Sequence, residues 1–262
     1  MALEVYAHRG LHRKNYPENT IPAFTSALKY TLRLEFDVRQ TKDRHVVVFH
    51  DDRIDNVTFD TGLVSNLPLA MLQNLRTRIR GSKIPSKQHI PTLEEVLASC
   101  SKALASSPNK ARYQIELKAP GVLEPTLRVL NKNKVPEANY FFTSFYPKTL
   151  QEAQAQAPKI KRLLLIPPEK LIADALLDIG SLQTSGLEFQ GVGLGDSLPG
   201  LFKDKLNRVS IAKFQDLGLK IGCYVVDSPA RAENLESWGV DGIVTNRCDL
   251  FREFIEKRAV KH

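Results

Sequence analysis

Cysteine is scarce in this chain. Cys100, Cys223 and Cys248 are odd in number and widely separated, and no CxxC pair occurs. That pattern excludes a disulfide framework and a cysteine zinc site. Long apolar runs are also missing. No segment approaches the ~18 uncharged apolar residues of a membrane-spanning helix. The apolar stretch Leu163 to Pro167 is far too short, so no stable membrane insertion is expected. Residues Met1 to Ala7 carry Glu4 and run straight into a strand-like pattern, unlike a secretion signal. With the cysteine pattern, this points to a cytoplasmic protein. Internal repeats, low-complexity stretches and interdomain linkers are lacking too, so residues 1–262 are expected to form one domain. A phosphate-binding glycine loop is likewise missing. Gly191-Val192-Gly193-Leu194-Gly195 has neither the Lys-Ser/Thr of a P-loop nor the order of a dinucleotide fingerprint. It reads as close packing at a strand end.

Positive charge is plentiful: the net charge is +8. Such a balance suits nucleic acid, an anionic membrane surface, a phosphorylated small molecule or simply a solvated basic surface. Arg33, Arg39, Arg76, Arg78, Arg80 and Lys83 are dispersed among apolar and small residues. No long basic run or aromatic-basic motif is present, so nucleic acid is not an expected partner.

Short β-branched or apolar runs alternate with longer amphipathic stretches. The spacing predicts eight strands: Val5–His8, Arg33–Val38, Tyr113–Lys118, Asn139–Thr143, Arg162–Ile166, Gly191–Leu194, Leu219–Val226 and Gly242–Thr245. Helical patterns over Ile21–Tyr30, Thr92–Ala105, Leu123–Asn131, Pro147–Gln156, Lys170–Leu182, Lys205–Leu217 and Ala230–Trp238 lie between most of them. Alternation of this kind implies a parallel sheet. Eight repeats in 262 residues imply a (β/α)8 TIM barrel, with an open doubly wound sheet as the alternative. A β-hairpin interrupts the rhythm, followed by a small insertion, together about residues 39–91. Asp43-Arg44 is read as its two-residue turn, which pairs Lys42 with His45 and sets His50 opposite Asp37.

Strand side chains alternate faces. In Leu34-Glu35-Phe36-Asp37-Val38, the apolar residues share one face and the two carboxylates share the other. With the apolar face against helices, Glu35 and Asp37 point into the barrel near the C-terminal strand ends, where barrel active sites lie. Like charges so close repel, and a divalent cation relieves them. Oxygen donors suit Mg²⁺ or Ca²⁺. In Tyr113-Gln114-Ile115-Glu116-Leu117-Lys118, Glu116 falls as a third metal ligand, and Lys118 sits higher to bind a phosphate oxygen. His8 ends the first strand, and Gly10 permits a sharp turn that aims Arg9 at the same site. Two histidines, three carboxylates, an arginine and a lysine describe metal-assisted attack on a phosphodiester. One histidine takes a proton and the other gives one. The other histidines, His12, His45, His89 and terminal His262, are read as loop or surface residues.

These residues resemble the glycerophosphodiester phosphodiesterase family. The match runs through His8-Arg9-Gly10, Pro17-Glu18-Asn19-Thr20, Glu35-Phe36-Asp37-Val38, Thr41-Lys42-Asp43, His50-Asp51, Ile90 to Glu95, Ile115 to Lys118 and Asp241 to Asn246. The resemblance implies a (β/α)8 barrel with an insertion after the second strand, and hydrolysis of glycerophosphodiesters to glycerol 3-phosphate and an alcohol. It implies His8 and His50 as acid/base pair, Glu35, Asp37 and Glu116 as metal ligands, and Arg9 and Lys118 as phosphate binders. It also implies attack by the neighbouring glycerol hydroxyl through a cyclic phosphate. Two departures stand out. Arg44 replaces the glycine usual after the hairpin aspartate, and Cys223 to Asp227 stands where Trp-Thr-Val-Asn is common. The competing readings are a phospholipase D-like enzyme acting on lysophospholipids or sphingomyelin, and a non-catalytic barrel that binds phosphate ligands. The alcohol moiety and the oligomeric state are left open by the sequence.

Overall fold

The structure, a computed structural model, describes residues 3–12, 16–105, 107, 111–196 and 206–259. Its strands are β1 (Glu4–His8), β2 (Arg33–Gln40), β3 (Val46–Val48), β4 (Arg112–Leu117), β5 (Tyr140–Ser144), β6 (Arg162–Ile166), β7 (Gly191–Gly195), β8 (Lys220–Tyr224) and β9 (Gly242–Thr245). Eight of them form a closed parallel ring, because β1 pairs with both β2 and β9. The ninth, β3, lies outside the ring and pairs antiparallel with the end of β2.

The helices are α1 (Ile21–Ala27), α2 (Leu69–Asn74), α3 (Leu93–Ala105), α4 (Leu123–Lys132), α5 (Pro147–Gln156), α6 (Ile172–Thr184), α7 (Arg208–Gln215), α8 (Pro229–Ser237) and α9 (Arg252–Ala259). Among the described residues no helix is long and apolar enough to cross a membrane. The expected helix Lys205–Leu217 begins outside the described residues at Lys205; α7 starts at Arg208, where a reciprocal Asn207–Ser210 capping box satisfies orphan backbone donors.

The alternation in β2 has the packing expected of it. Leu34, Phe36 and Val38 are fully buried in a cluster with Phe24 of α1 and Leu93 and Val96 of α3. On the other half, Val192, Leu194, Ile221, Cys223 and Ile243 play the same part against α6, α7 and α8. With these residues facing helices, their sequence neighbours face the ring's interior. A third cluster, Val47, Phe49, Ile54, Val57, Val64, Leu72 and Ile90, is the small core of the insertion.

The hairpin differs from its expected register by one residue. Val38 pairs with Val48 and Gln40 with Val46, and Thr41 N donates to His45 O at 2.9 Å. The loop therefore has three residues, Lys42, Asp43 and Arg44, with Arg44 in the left-handed region at φ 67°. A three-residue hairpin needs that conformation at its last position. Thr41 Oγ1 donates to Asp43 Oδ1 at 2.6 Å, which braces the turn. Phe49, not His50, thus meets Asp37, with Phe49 N donating to Asp37 O at 2.9 Å.

Candidate active site

The site assembles at the C-terminal ends of β1, β2 and β4. Register puts His8 beside Glu35 and Asp37 beside Glu116. Arg9 (φ 54°) and Gly10 (φ 80°) then turn the chain sharply. A side chain at Gly10 would meet the Ala23 backbone at 2.5 Å, so the start of α1 packs directly on this turn. Arg9 N donates to Glu35 Oε2 at 3.1 Å, and Asn19 N donates to Arg9 O at 3.0 Å. The turn and the Pro17–Thr20 loop are thereby closed against β2.

Three buried carboxylates meet inside. One ligand oxygen from each of Glu35, Asp37 and Glu116 lies within 4.8 Å of the others. Burial opposes the charge on Asp37 most strongly, yet Arg9, His50, Lys118 and the Asn19 hydrogen bond together hold its carboxyl well below the usual range. Burial, and then the Asp37 charge, push the carboxyls of Glu35 and Glu116 up. Asp37 Oδ1 is buried without a hydrogen-bond partner. Such an orphaned acceptor in an all-oxygen donor set fits a hard divalent cation.

Arg9 and Lys118 lie against the acids. Lys118 Nζ donates to Glu116 Oε1 at 2.7 Å and stands 3.7 Å from Asp37 Oδ1. Arg9 Nε is 3.2 Å from Asp37 Oδ2 but is not aligned to donate to it, so this contact is one of charge. Its Nη1 donates to Glu18 Oε1 at 2.8 Å. Burial disfavours the charge on Glu18 before anything else, but Arg80 and Arg9 hold its carboxyl at about 2.

Both histidines have their Nδ1 engaged. His50 Nδ1 is 2.6 Å from Asp51 Oδ1, and a carboxylate there requires the imidazole to donate. Asp51 also accepts from Asn56 and from Arg80, which bridges to Glu18. The insertion is tied in this way to both His50 and the Arg9 loop. After Val48 the strand ends and the chain bends through His50 to Asp52. His50 remains near enough for its positive charge to favour ionised Asp37 and Glu116. On the other side, His8 Nδ1 is 2.7 Å from Asn246 Oδ1, and His8 Nε2 is 4.0 Å from Glu35 Oε2. Burial first, then Arg9, pushes the His8 imidazole well below its ordinary range.

All seven residues singled out in the sequence, His8, Arg9, Glu35, Asp37, His50, Glu116 and Lys118, thus cluster at one mouth. Three others escaped the sequence reading. His12, read there as a loop residue, brings Nε2 to 3.0 Å from Asn246 Oδ1. Asn246 stood in a matched block without a role, and Asp227 was noted only as an acid in place of an amide. Asp227 accepts from Asn246 N at 2.8 Å and Nδ2 at 3.0 Å. The spacing His8 to His12 across a tight turn was the one signal for the first of these.

Residues 8–250 match the Glycerophosphoryl diester phosphodiesterase family. YhdW of Bacillus subtilis (strain 168) is 31% identical over 253 residues, covering 94% of this chain and 95% of that protein. A glycerophosphodiester phosphodiesterase of Caldanaerobacter subterraneus subsp. tengcongensis is 28% identical, over 97% of this chain and 98% of its own. Among solved structures, an Oleispira antarctica phosphodiesterase in complex with the product sn-glycerol-3-phosphate superposes with a TM-score of 0.78. It is 22% identical and covers 97% of each chain. That likeness bears on the fold, and it is the barrel found here.

Proposed function

This chain belongs to the glycerophosphoryl diester phosphodiesterase family, and we propose that its barrel mouth hydrolyses glycerophosphodiesters to glycerol 3-phosphate and an alcohol. The observation that carries this reading is the meeting of Glu35, Asp37 and Glu116 within 4.8 Å, flanked by two histidines and two cations. Glu35, Asp37 and Glu116 would hold one divalent cation, Mg²⁺ or Ca²⁺. When bound, it supplies Lewis-acid stabilisation of charge on the phosphoryl oxygens.

The protein's own groups divide the remaining work. Arg9 and Lys118 bind phosphoryl oxygens, the guanidinium by its planar pair of donors. His8 is kept neutral by burial and by Arg9. With Nδ1–H donated to Asn246, its Nε2 carries the lone pair, so His8 is the base that takes the proton of the attacking hydroxyl. His50 donates Nδ1–H to Asp51, which orients the ring that acts as the acid. Its Nε2–H is then available to the leaving alcohol oxygen. Each proton taken at one face is matched by one delivered at the other, and a water then opens the cyclic phosphate with the two histidines in reversed roles, giving glycerol 3-phosphate.

The test is an assay of the purified protein on glycerophosphocholine, glycerophosphoethanolamine, glycerophosphoglycerol and a lysophosphatidylcholine, with added Mg²⁺ or Ca²⁺. Release of glycerol 3-phosphate from the unacylated diesters is the expected result. Release of lysophosphatidate alone would favour the phospholipase D-like reading. No release from any of the four would sink the proposal.

A further inference from the structure

The opposite end of the barrel contains a cavity of about 1200 Å³. Small-molecule sites are typically ~300–1,000 Å³, so it has ample room for a ligand. Barrel interiors are ordinarily filled by layers of bulky side chains. Here three adjacent strands present glycine at one level: Gly193 pairs with Gly222, and Gly222 with Gly242. Leu165 leans over Gly193, where a Cβ would meet its Cδ2 at 2.5 Å. At Gly222 the nearest atom to such a Cβ is 3.8 Å away, and the space stays open.

The lining is graded from mouth to ceiling. On β6 the inward series runs from Lys161 at the strand's start to Leu163 and Leu165, and on β4 from Arg112 to Gln114. The body of the bore is apolar, with Phe141 on the neighbouring strand β5 packed edge-on against Tyr6 at 5.7 Å. At the mouth Arg33 is paired with Glu4 at 3.1 Å and Lys220 with Asp241 at 2.7 Å. Lys159 and Lys161 are exposed and have no ion pair among the described residues. Glu137 lines the same side, so the two lysines leave a net positive charge there. Gln114, two residues in from Arg112, is 9% exposed, lines the bore at mid-depth, and has no hydrogen-bond partner among the described residues. Its amide is thus free to meet a polar group of a ligand in the bore.

We propose that this bore is a ligand site for a single-chain amphiphilic anion, separate from the phosphodiesterase mouth. Its carboxylate or phosphate lies at Lys159 and Lys161, its apolar body against Phe141, Leu163 and Leu165, and Gln114 meets the chain at mid-depth. Leu165 lies four steps along the chain from Lys161, roughly 13 Å at about 3.3 Å per residue. That depth matches an extended chain of roughly ten carbons with bonds of about 1.5 Å.

Calorimetric titration of the full chain with decanoate, 5-hydroxydecanoate and 1-decanol tests this. One saturable site per chain is expected for both acids, with 1-decanol weaker by roughly tenfold or more, as befits loss of a charge-assisted contact. The double variant Lys159→Glu/Lys161→Glu, altered only on the surface, should weaken both acids by a similar factor and spare 1-decanol. Gln114→Leu should weaken 5-hydroxydecanoate selectively, and Gly222→Leu should abolish binding of all three. Far-ultraviolet circular dichroism and thermal melting establish that each variant is folded. The proposal is overturned if the native chain shows no saturable binding, or if 1-decanol binds as tightly as the acids. Acid binding that survives the lysine reversal, or that survives Gly222→Leu while being displaced by glycerol 3-phosphate, overturns it as well.

Discussion

Asn246 Oδ1 accepts a hydrogen bond from His8 Nδ1 at 2.7 Å, across 238 residues of sequence. The direction of that bond follows from the far side of the amide. Asn246 Nδ2 faces the Asp227 carboxylate at 3.0 Å and must donate to it, so Oδ1 is the atom turned to the histidines. Asp227 thereby fixes Asn246, and Asn246 fixes the His8 tautomer with its lone pair on Nε2.

His8→Ala and His50→Ala should each lower kcat by roughly 10²–10⁴, the contribution of a positioned base or acid. Asn246→Leu should lower kcat by roughly 10–100-fold, as for other partners that fix a working imidazole. Because Asn246 acts through His8, the double variant His8→Ala/Asn246→Leu should be no slower than His8→Ala alone. Steady-state kinetics on the best diester reads this directly. Additive losses in the double variant would show that Asn246 acts elsewhere.

Removal of metal should abolish turnover, and Mg²⁺ or Ca²⁺ should restore it. The independent readout is stability: a cation at 100 times its dissociation constant should stabilise the folded chain by about 2.7 kcal/mol. Thermal melting of chelator-treated protein with and without added cation measures this. Glu35→Gln, Asp37→Asn and Glu116→Gln should each erase most of the upshift. An undiminished upshift in all three variants would place the cation elsewhere.

The pairing of Glu18 with Arg9 and Arg80 should appear in the pH dependence of folding. The carboxyl lies at about 2 in the folded chain against an ordinary 4.5. Between those values the unfolded chain binds more protons, so stability rises with pH. The contribution is complete above about 4.5 and is lost as pH falls towards about 2. At neutral pH it amounts to roughly 2–3 kcal/mol, since Arg80 is partly exposed and screened. Urea denaturation of metal-free protein and Glu18→Gln at several pH values should show a gap that narrows on acidification. A gap constant from pH 7 to pH 3 would refute the assignment.

What the sequence by itself determined is what depends on neighbours along the chain. A period of two in Leu34 to Val38 places Glu35 and Asp37 on one face of any strand, and the same parity places Glu116 with Lys118. Their apolar alternates then leave only one side for the helices, which turns the carboxylates inward. The hairpin register was not determined, because Asp43-Arg44 suits either a two-residue or a three-residue loop. The tertiary setting chose the longer, with Arg44 at φ 67° and Asp43 Oδ1 also accepting from Leu69 N at 2.9 Å. The contact of Asn246 with His8 and His12 exists only because β9 closes the ring on β1, and no local pattern contains that closure. The glycines tell the same story. Gly191 and Gly193 are closely packed, as read, but the row from Gly193 through Gly222 to Gly242 arises only when three distant strands come into register. Alternation is a property of one strand, whereas a row across strands is set by the ring's stagger, which the packing of the whole barrel decides.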